Sequence, residues 1–239
     1  MVKQAFSDEL LNEKLFLTSA NSINVARWLP QQFYYLFAWK QWQKKEQPPV
    51  ISVPSGNFGN ICAGILAHVS GMPVNHFIAA CNANKVVPDY LDTEKFVPQK
   101  AIATISNAMD VGSPSNFIRI LELLHHQFDD LKNILSSYSI SDEETKQTIR
   151  NVFYKENYLL DPHGAVAFYA LNQYLNEHAA SSGYFIETAH PVKFYDVVEP
   201  LIERKIAVPE SVSTILDKEK LSVKMKPSFK LLQEYLLSK

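Results

Sequence analysis

The chain has 239 residues, 46% of them apolar and 20% charged, with a formal net charge of −2 at neutral pH. That length suffices for one large domain, or one and a fraction, around a full hydrophobic core. The near-balanced charge excludes recognition of nucleic acid or an anionic membrane through a global electrostatic field. No run reaches the roughly 18 apolar residues of a membrane span, and the opening Met1–Asp8 lacks the apolar core of a secretory signal. The expectation is a cytoplasmic protein with no membrane or nucleic-acid partner. Cys62 and Cys81 have no CxxC spacing and are expected to be buried free thiols.

In chain order, Trp28–Trp42 predicts a helix so rich in aromatics that most of its faces should be covered. Val50–Val53 is a β-branched run ending at Pro54, followed by a glycine-bearing turn and a helix over Phe58–Val69. Gly71-Met72-Pro73 is a turn, and His76–Ala80 the next strand. Phe117, Ile120, Leu121 and Leu124 form the stripe of an amphipathic helix over Phe117–Gln127, opened by Pro114 or Ser115. Ser141 followed by Glu144 is a capping-box pattern for a helix running to about Tyr154. Asp161-Pro162 supplies an N-cap and an N1 proline for the next helix. Tyr184–Thr188 predicts a strand, Val192–Glu203 a helix, and the charged stretch from Leu221 a docking tail ending in a short helix. Alternating strands and helices predict an α/β fold with a largely parallel sheet. No metal site is expected, since His125-His126 has no ligand partner at suitable spacing.

The most informative local feature is Val53-Pro54-Ser55-Gly56-Asn57-Phe58-Gly59-Asn60. A strand enters a turn with two glycines, and a helix opens at once. Glycine allows close backbone approach, and the unsatisfied N–H groups of a helix's first turn favour an anion. A phosphate fits there; a tight strand-to-helix turn with an asparagine cap accounts for the same residues. The pattern is neither a Walker A loop nor GxGxxG, so a nucleotide is a poor match.

Ser55–Asn60 resembles the phosphate-cradling loop of the threonine synthases, which are fold type II pyridoxal-phosphate (PLP) enzymes. Four further motifs resemble that family in order: Asn21–Arg27 with Gln31 and Tyr34-Tyr35; Ala108–Gly112 with Pro114–Phe117 and Arg119; Asp161–Ala165; and Thr188–Phe194. The resemblance implies a three-layer, open, largely parallel sheet flanked by helices, like the tryptophan synthase β fold and here incomplete. It places a helical segment bordering the active site at 1–45, and the main α/β domain, which holds the PLP phosphate and ends in the helical tail, at 46–239. Gly56, Asn57, Phe58, Gly59 and Asn60 match the residues that hold the cofactor phosphate, mainly through backbone donors. Thr188 matches the hydroxyl beside the pyridine nitrogen, a contact that does not enforce a protonated ring. Asn21, Ser22 and Arg27, assisted by Asn57, match the residues that bind the phosphate of the substrate, O-phosphohomoserine. An Arg fork with amide and hydroxyl donors suits a phosphate dianion; a helix cap with a surface arginine is the plainer alternative. Asp110, Asn116 and Arg119 are assigned to structure, and His163 and His190 to hydrogen-bonded scaffolding.

The family's cofactor-anchoring lysine lies in a Phe-Lys-Asp context upstream of the glycine loop. Lys3, Lys14, Lys40, Lys44 and Lys45 lack that setting, and Lys193 is C-terminal to the loop. No catalytic residue is therefore assigned. The expected function is threonine synthase, converting O-phosphohomoserine and water to threonine and phosphate, carried as a C-terminal part that is inactive alone. Its expected partner is the missing N-terminal portion, and its exposed edges should favour self-association. The alternatives are a related fold type II phospholyase and a non-catalytic protein that retains a phosphate or PLP pocket.

Overall fold

A computed structural model describes residues 1–216, 218–219 and 221–238. By its contacts the chain falls into two compact units, Met1–Asn24 with Val208–Lys239, and Val25–Ala207. This division does not fall at the expected 45/46 boundary, because α3 (Val25–Trp28) and α4 (Gln32–Gln41) pack on α5 (Gly59–Val69) within the larger unit.

The smaller unit contains α1 (Val2–Phe6) and α2 (Glu9–Lys14), with α12 (Glu210–Leu216) and α13 (Phe229–Leu237) from the other end of the chain. Asp8 caps α2 by accepting from Leu11 N–H at 2.9 Å, and its other oxygen accepts from Gln233 Nε2 of α13 at 2.8 Å. Leu11 is fully buried there. The expected tail helix is thus present.

In the larger unit, β1 (Val50–Pro54), β2 (His76–Cys81), β3 (Leu135–Ser139) and β4 (Gly183–Phe185) form one sheet in the order β3-β2-β1-β4. Every neighbouring pair is parallel. Side chains alternate across it. Ile51, Val53, Phe77 and Ala79 face a core shared with Ile61 and Ile65 of α5 and with Phe117 of α7 (Phe117–Leu123). Val50, Ile78 and Ala80 face the opposite core with Val166, Ala167 and Ala170 of α10 (Pro162–Glu177). Burial on both faces is why the central strands read as apolar runs. A third cluster joins α9 (Asp142–Glu156), α10 and α11 (Tyr195–Ile202) through Ile149, Ala165 and Val198. The expected three-layer parallel α/β fold is what the chain adopts.

The Ser141–Glu144 capping box and the Asp161 cap of α10 form as predicted. Several boundaries differ for identifiable reasons. The Trp28–Trp42 helix is broken by a 3₁₀ turn at Leu29–Gln31 around Pro30, which has no N–H to give to the helix ladder. Most faces of α4 are not covered: Tyr35 is buried, while Phe33, Tyr34 and Phe37 are 63%, 61% and 65% exposed. The Phe117 helix stops at Leu123, because His125 and His126 take positive φ. After them come α8 (Phe128–Ile134) and β3, which the sequence did not announce; α6 (Val86–Thr93) was also unforeseen. The strand predicted at Tyr184–Thr188 ends at Phe185. Its last rung is Ile186 N–H to Ser52 O at 2.9 Å, and the next would need an N–H that Pro54 lacks. Before α11, Pro191–Phe194 forms a 3₁₀ turn in which His190 Nδ1 accepts from Val192 N–H at 3.1 Å.

Candidate active site

Parallel strands end on one edge of the sheet, and ligands of open α/β folds bind outside that edge. The β1–α5 loop emerges there. Ser55 N–H donates to Ala80 O at 2.8 Å, tying the loop's start to the end of β2. Gly56 lies so close to the 3₁₀ turn Asn107–Met109 that a Cβ would sit 2.6 Å from Met109 Cα. Phe58 adopts the left-handed conformation (φ 62°, ψ 14°) as N-cap of α5. Such backbone is costly for a non-glycine residue; here the ring is buried and packs edge-on against Phe117 at 5.5 Å. The N–H groups of Gly59 and Asn60, in the first turn of α5, have no place in the helix's own ladder.

Side chains from the following motif hold the loop. Asn57 Oδ1 accepts from Ser115 N–H at 2.7 Å and Ser115 Oγ at 3.0 Å, and Asn57 O accepts from Asn116 Nδ2 at 2.9 Å. Arg119 donates to Asn116 Oδ1, and its guanidinium lies 5.7 Å from the centre of the Trp28 ring. Asn60 Oδ1 accepts from Tyr35 OH. Asp110 Oδ1 accepts from Asn82 Nδ2 at 2.9 Å and Thr104 Oγ1 at 2.7 Å, and Asp110 Oδ2 from Thr104 N–H at 3.0 Å. Asp110, Asn116 and Arg119 thus sit in the loop's scaffold.

Thr188 is exposed, three residues beyond the end of β4. Because β4 pairs with β1 in parallel, its segment leaves the sheet at the same edge as the glycine loop. Arg27, in α3, is exposed. Asn21 and Ser22 belong to the smaller unit; there Asn21 Oδ1 accepts from Ile23 N–H at 3.2 Å. A cavity of about 560 Å³ in that unit is lined by Phe6, Leu17, Thr18, Ser19, Ile23 and Asn24, none of them an acid or base.

One cluster of titratable side chains was not foreseen as a cluster. Asp161 and His163 are buried at the start of α10. His163 Nε2 accepts from Ala108 N–H at 3.2 Å, so the ring proton is on Nδ1, which donates to Asp161 Oδ1 at 2.6 Å. Glu187, just before Thr188, reaches the same helix start: its Oε1 accepts from Asp161 N–H at 3.1 Å. Burial raises the Asp161 carboxyl, but hydrogen bonds from His163 and Glu187 outweigh it and hold it below its ordinary value. Burial, with the Asp161 charge beside it, pushes Glu187 up to about 8. Asp161-Pro162 drew attention as a cap and His163 as scaffold. Nothing in the sequence pointed to Glu187, which is brought to them by β4.

The family model described as "Pyridoxal-phosphate dependent enzyme" matches residues 2–186, well over half the chain. The chain belongs to the pyridoxal-phosphate dependent enzymes. A second model, "Threonine synthase, C-terminal", matches residues 164–236. The threonine synthase of Escherichia coli strain K12 is 42% identical over 240 residues, spanning 100% of this chain and 55% of that protein. The threonine synthase of Buchnera aphidicola subsp. Acyrthosiphon pisum is 41% identical with the same coverage. The crystal structure of the E. coli enzyme superimposes with a TM-score of 0.92 over 99% of this chain and 55% of that one. A PLP-bound threonine synthase from Brucella melitensis gives 0.86 at 28% identity, over 98% and 55%. Serine racemase from Dictyostelium discoideum, with a TM-score of 0.52 at 16% identity, shares the fold alone. The chain spans about half the length of the curated relatives it matches.

The glycine loop fits a cofactor phosphate. The left-handed Phe58 opens an eleven-residue helix, Gly56 packs without room for a side chain, and Asn57 is held from behind. The anion would meet backbone donors at the positive end of α5.

Proposed function

We propose that this chain supplies the cofactor-phosphate half of a threonine synthase active site. The observation that carries the reading is the loop at Gly56–Asn60, whose geometry suits a phosphate, in a chain similar to threonine synthases from end to end. PLP, when bound, supplies an electron sink for proton movements at the substrate's carbons. The chain's own residues bind and orient. Backbone donors of Gly56, Asn57, Phe58, Gly59 and Asn60 would hold the cofactor phosphate, and the Thr188 hydroxyl would serve the ring nitrogen. The substrate is O-phosphohomoserine, and its phosphate is assigned to Asn21, Ser22, Arg27 and Asn57 on the motifs they share with the family.

The reaction also needs a mobile amine that touches several carbons in turn, and no lysine here has the family's Phe-Lys-Asp setting. The residues of this chain are therefore not sufficient for turnover, and what they would act with is the family's N-terminal portion. The exposed Phe33, Tyr34 and Phe37 of α4 form an apolar face of the kind that such a partner covers.

Equilibrium dialysis of the purified chain against PLP tests this reading. Expected is saturable, reversible retention, competed by inorganic phosphate, with no turnover of O-phosphohomoserine. Absence of saturable retention would overturn the cofactor assignment. Turnover by chain free of host enzyme would overturn the inactivity.

A further inference from the structure

We propose that Glu187 is a positioning residue: its carboxyl proton, shared with Asp161, clamps the segment bearing Thr188 to the first turn of α10. The inference rests on the reading of Thr188 as the ring-nitrogen contact.

A proton shared by the two carboxyls accounts for the contacts at this helix start. Glu187 Oε1 accepts from Asp161 N–H, and Asp161 Oδ1 accepts from both the N–H and Nδ1 of His163. That leaves Asp161 Oδ2 and Glu187 Oε2, both buried and neither with a hydrogen-bond partner among the described residues. The Asp161 N–H on Glu187 Oε1 brings both carboxyls to the first turn of α10. Two carboxylates there would repel and leave two buried acceptors unsatisfied. One proton on Glu187 Oε2, donated to Asp161 Oδ2, satisfies both. His163 cannot be its source, since its single ring proton is committed to Asp161 Oδ1 by the Ala108 N–H on the opposite nitrogen.

The packing is shaped around this contact. Gly164 lies directly under the Glu187 carboxyl, and a Cβ there would sit 2.1 Å from Oε2. The clamp also communicates. Asp161 holds His163, His163 holds Ala108 N–H, and the neighbouring Met109 packs on Gly56. One network thus joins the Thr188 segment to the floor of the phosphate loop. The titratable groups facing Glu187 are Asp161, His163 through it, and Tyr158, whose hydroxyl both carboxylates act on. None of them is a cation able to stabilise an ionised Glu187.

Glu187 pushed up to about 8 makes the clamp testable in the full chain without cofactor. In ¹³C-detected NMR, the Glu187 side-chain carboxyl should titrate near pH 8, and the Thr188 amide should shift with the same midpoint. In Glu187→Gln, which keeps a donor for Asp161 but does not titrate, the Thr188 shift should vanish. A Glu187 carboxyl titrating near its ordinary 4.5, or a Thr188 amide that moves identically in Glu187→Gln, refutes the clamp. The carboxyl titration needs no variant, so it decides the question even if Glu187→Gln fails to fold. A second arm measures PLP retention against pH: affinity should fall above pH 8 in the wild type and stay level in Glu187→Gln. No PLP retention at any pH would sink the cofactor reading and leave the NMR result to judge the clamp, whereas level retention in both proteins would count against the clamp.

Discussion

Replacing Gly56 by alanine tests the tightest packing in the candidate site. The new methyl would meet Met109 Cα at 2.6 Å, Ala108 O at 3.1 Å and Met109 C at 3.2 Å. The first contact falls about 0.8 Å short of the 3.4 Å at which ordinary contact begins. All three obstacles are backbone, so no rotamer change relieves them. The turn is also held from other sides, by His163 at Ala108 N–H and by the Asp110 hydrogen bonds that follow it. The strain must therefore move backbone, at the cost of about 1–3 kcal/mol typical of overpacking. Urea unfolding followed by tryptophan fluorescence should show a lower midpoint with an unchanged slope, and PLP retention should weaken because the loop is displaced from its anchor. A midpoint within error of wild type, with PLP retention unchanged, would falsify the claim that Gly56 is required by close approach.

Three further outcomes are expected. Ser141→Ala removes the capping box of α9 and should destabilise by about 0.5–2 kcal/mol; hydrogen bonds from Ser141 hold Glu144 below its ordinary value, so its share of stability is present at neutral pH and the gap to wild type should narrow as acid protonates Glu144. Burial against Tyr174, with Nε2 2.8 Å from Ser136 Oγ, lowers His76 to about 4; its unfolded form takes up a proton near 6.5, so stability should be lost as pH falls from 6.5 towards 4, and a ring midpoint near 6.5 by NMR would refute the burial argument. Phe33→Asp with Phe37→Asp, at positions 63% and 65% exposed, should change unfolding stability by no more than about 0.5 kcal/mol each while reducing self-association in sedimentation velocity.

Much of this protein is written locally. The β1 run, the Gly56–Asn60 turn, the Ser141–Glu144 box and the Asp161-Pro162 cap are short-range devices, and each forms where its residues stand. β3 was illegible because Ser136, Ser137 and Ser139 carry no apolar alternation; the strand is held by its ladder to β2 and by serine hydroxyls that donate to Ala79 O at 2.8 Å and Asn82 O at 3.0 Å. The aromatic α4 misled in the other direction, since composition alone does not say how much of a face this chain covers. The motif sequence alone determined that a strand, a glycine-bearing turn and a helix would follow one another there. Only the tertiary structure decided that Asn57 is braced by Ser115 and Asn116, and that Glu187 meets Asp161 across 26 positions of chain. Such pairings depend on which strands lie side by side, and strand order is set by packing both faces of the sheet at once, which no local run of residues encodes.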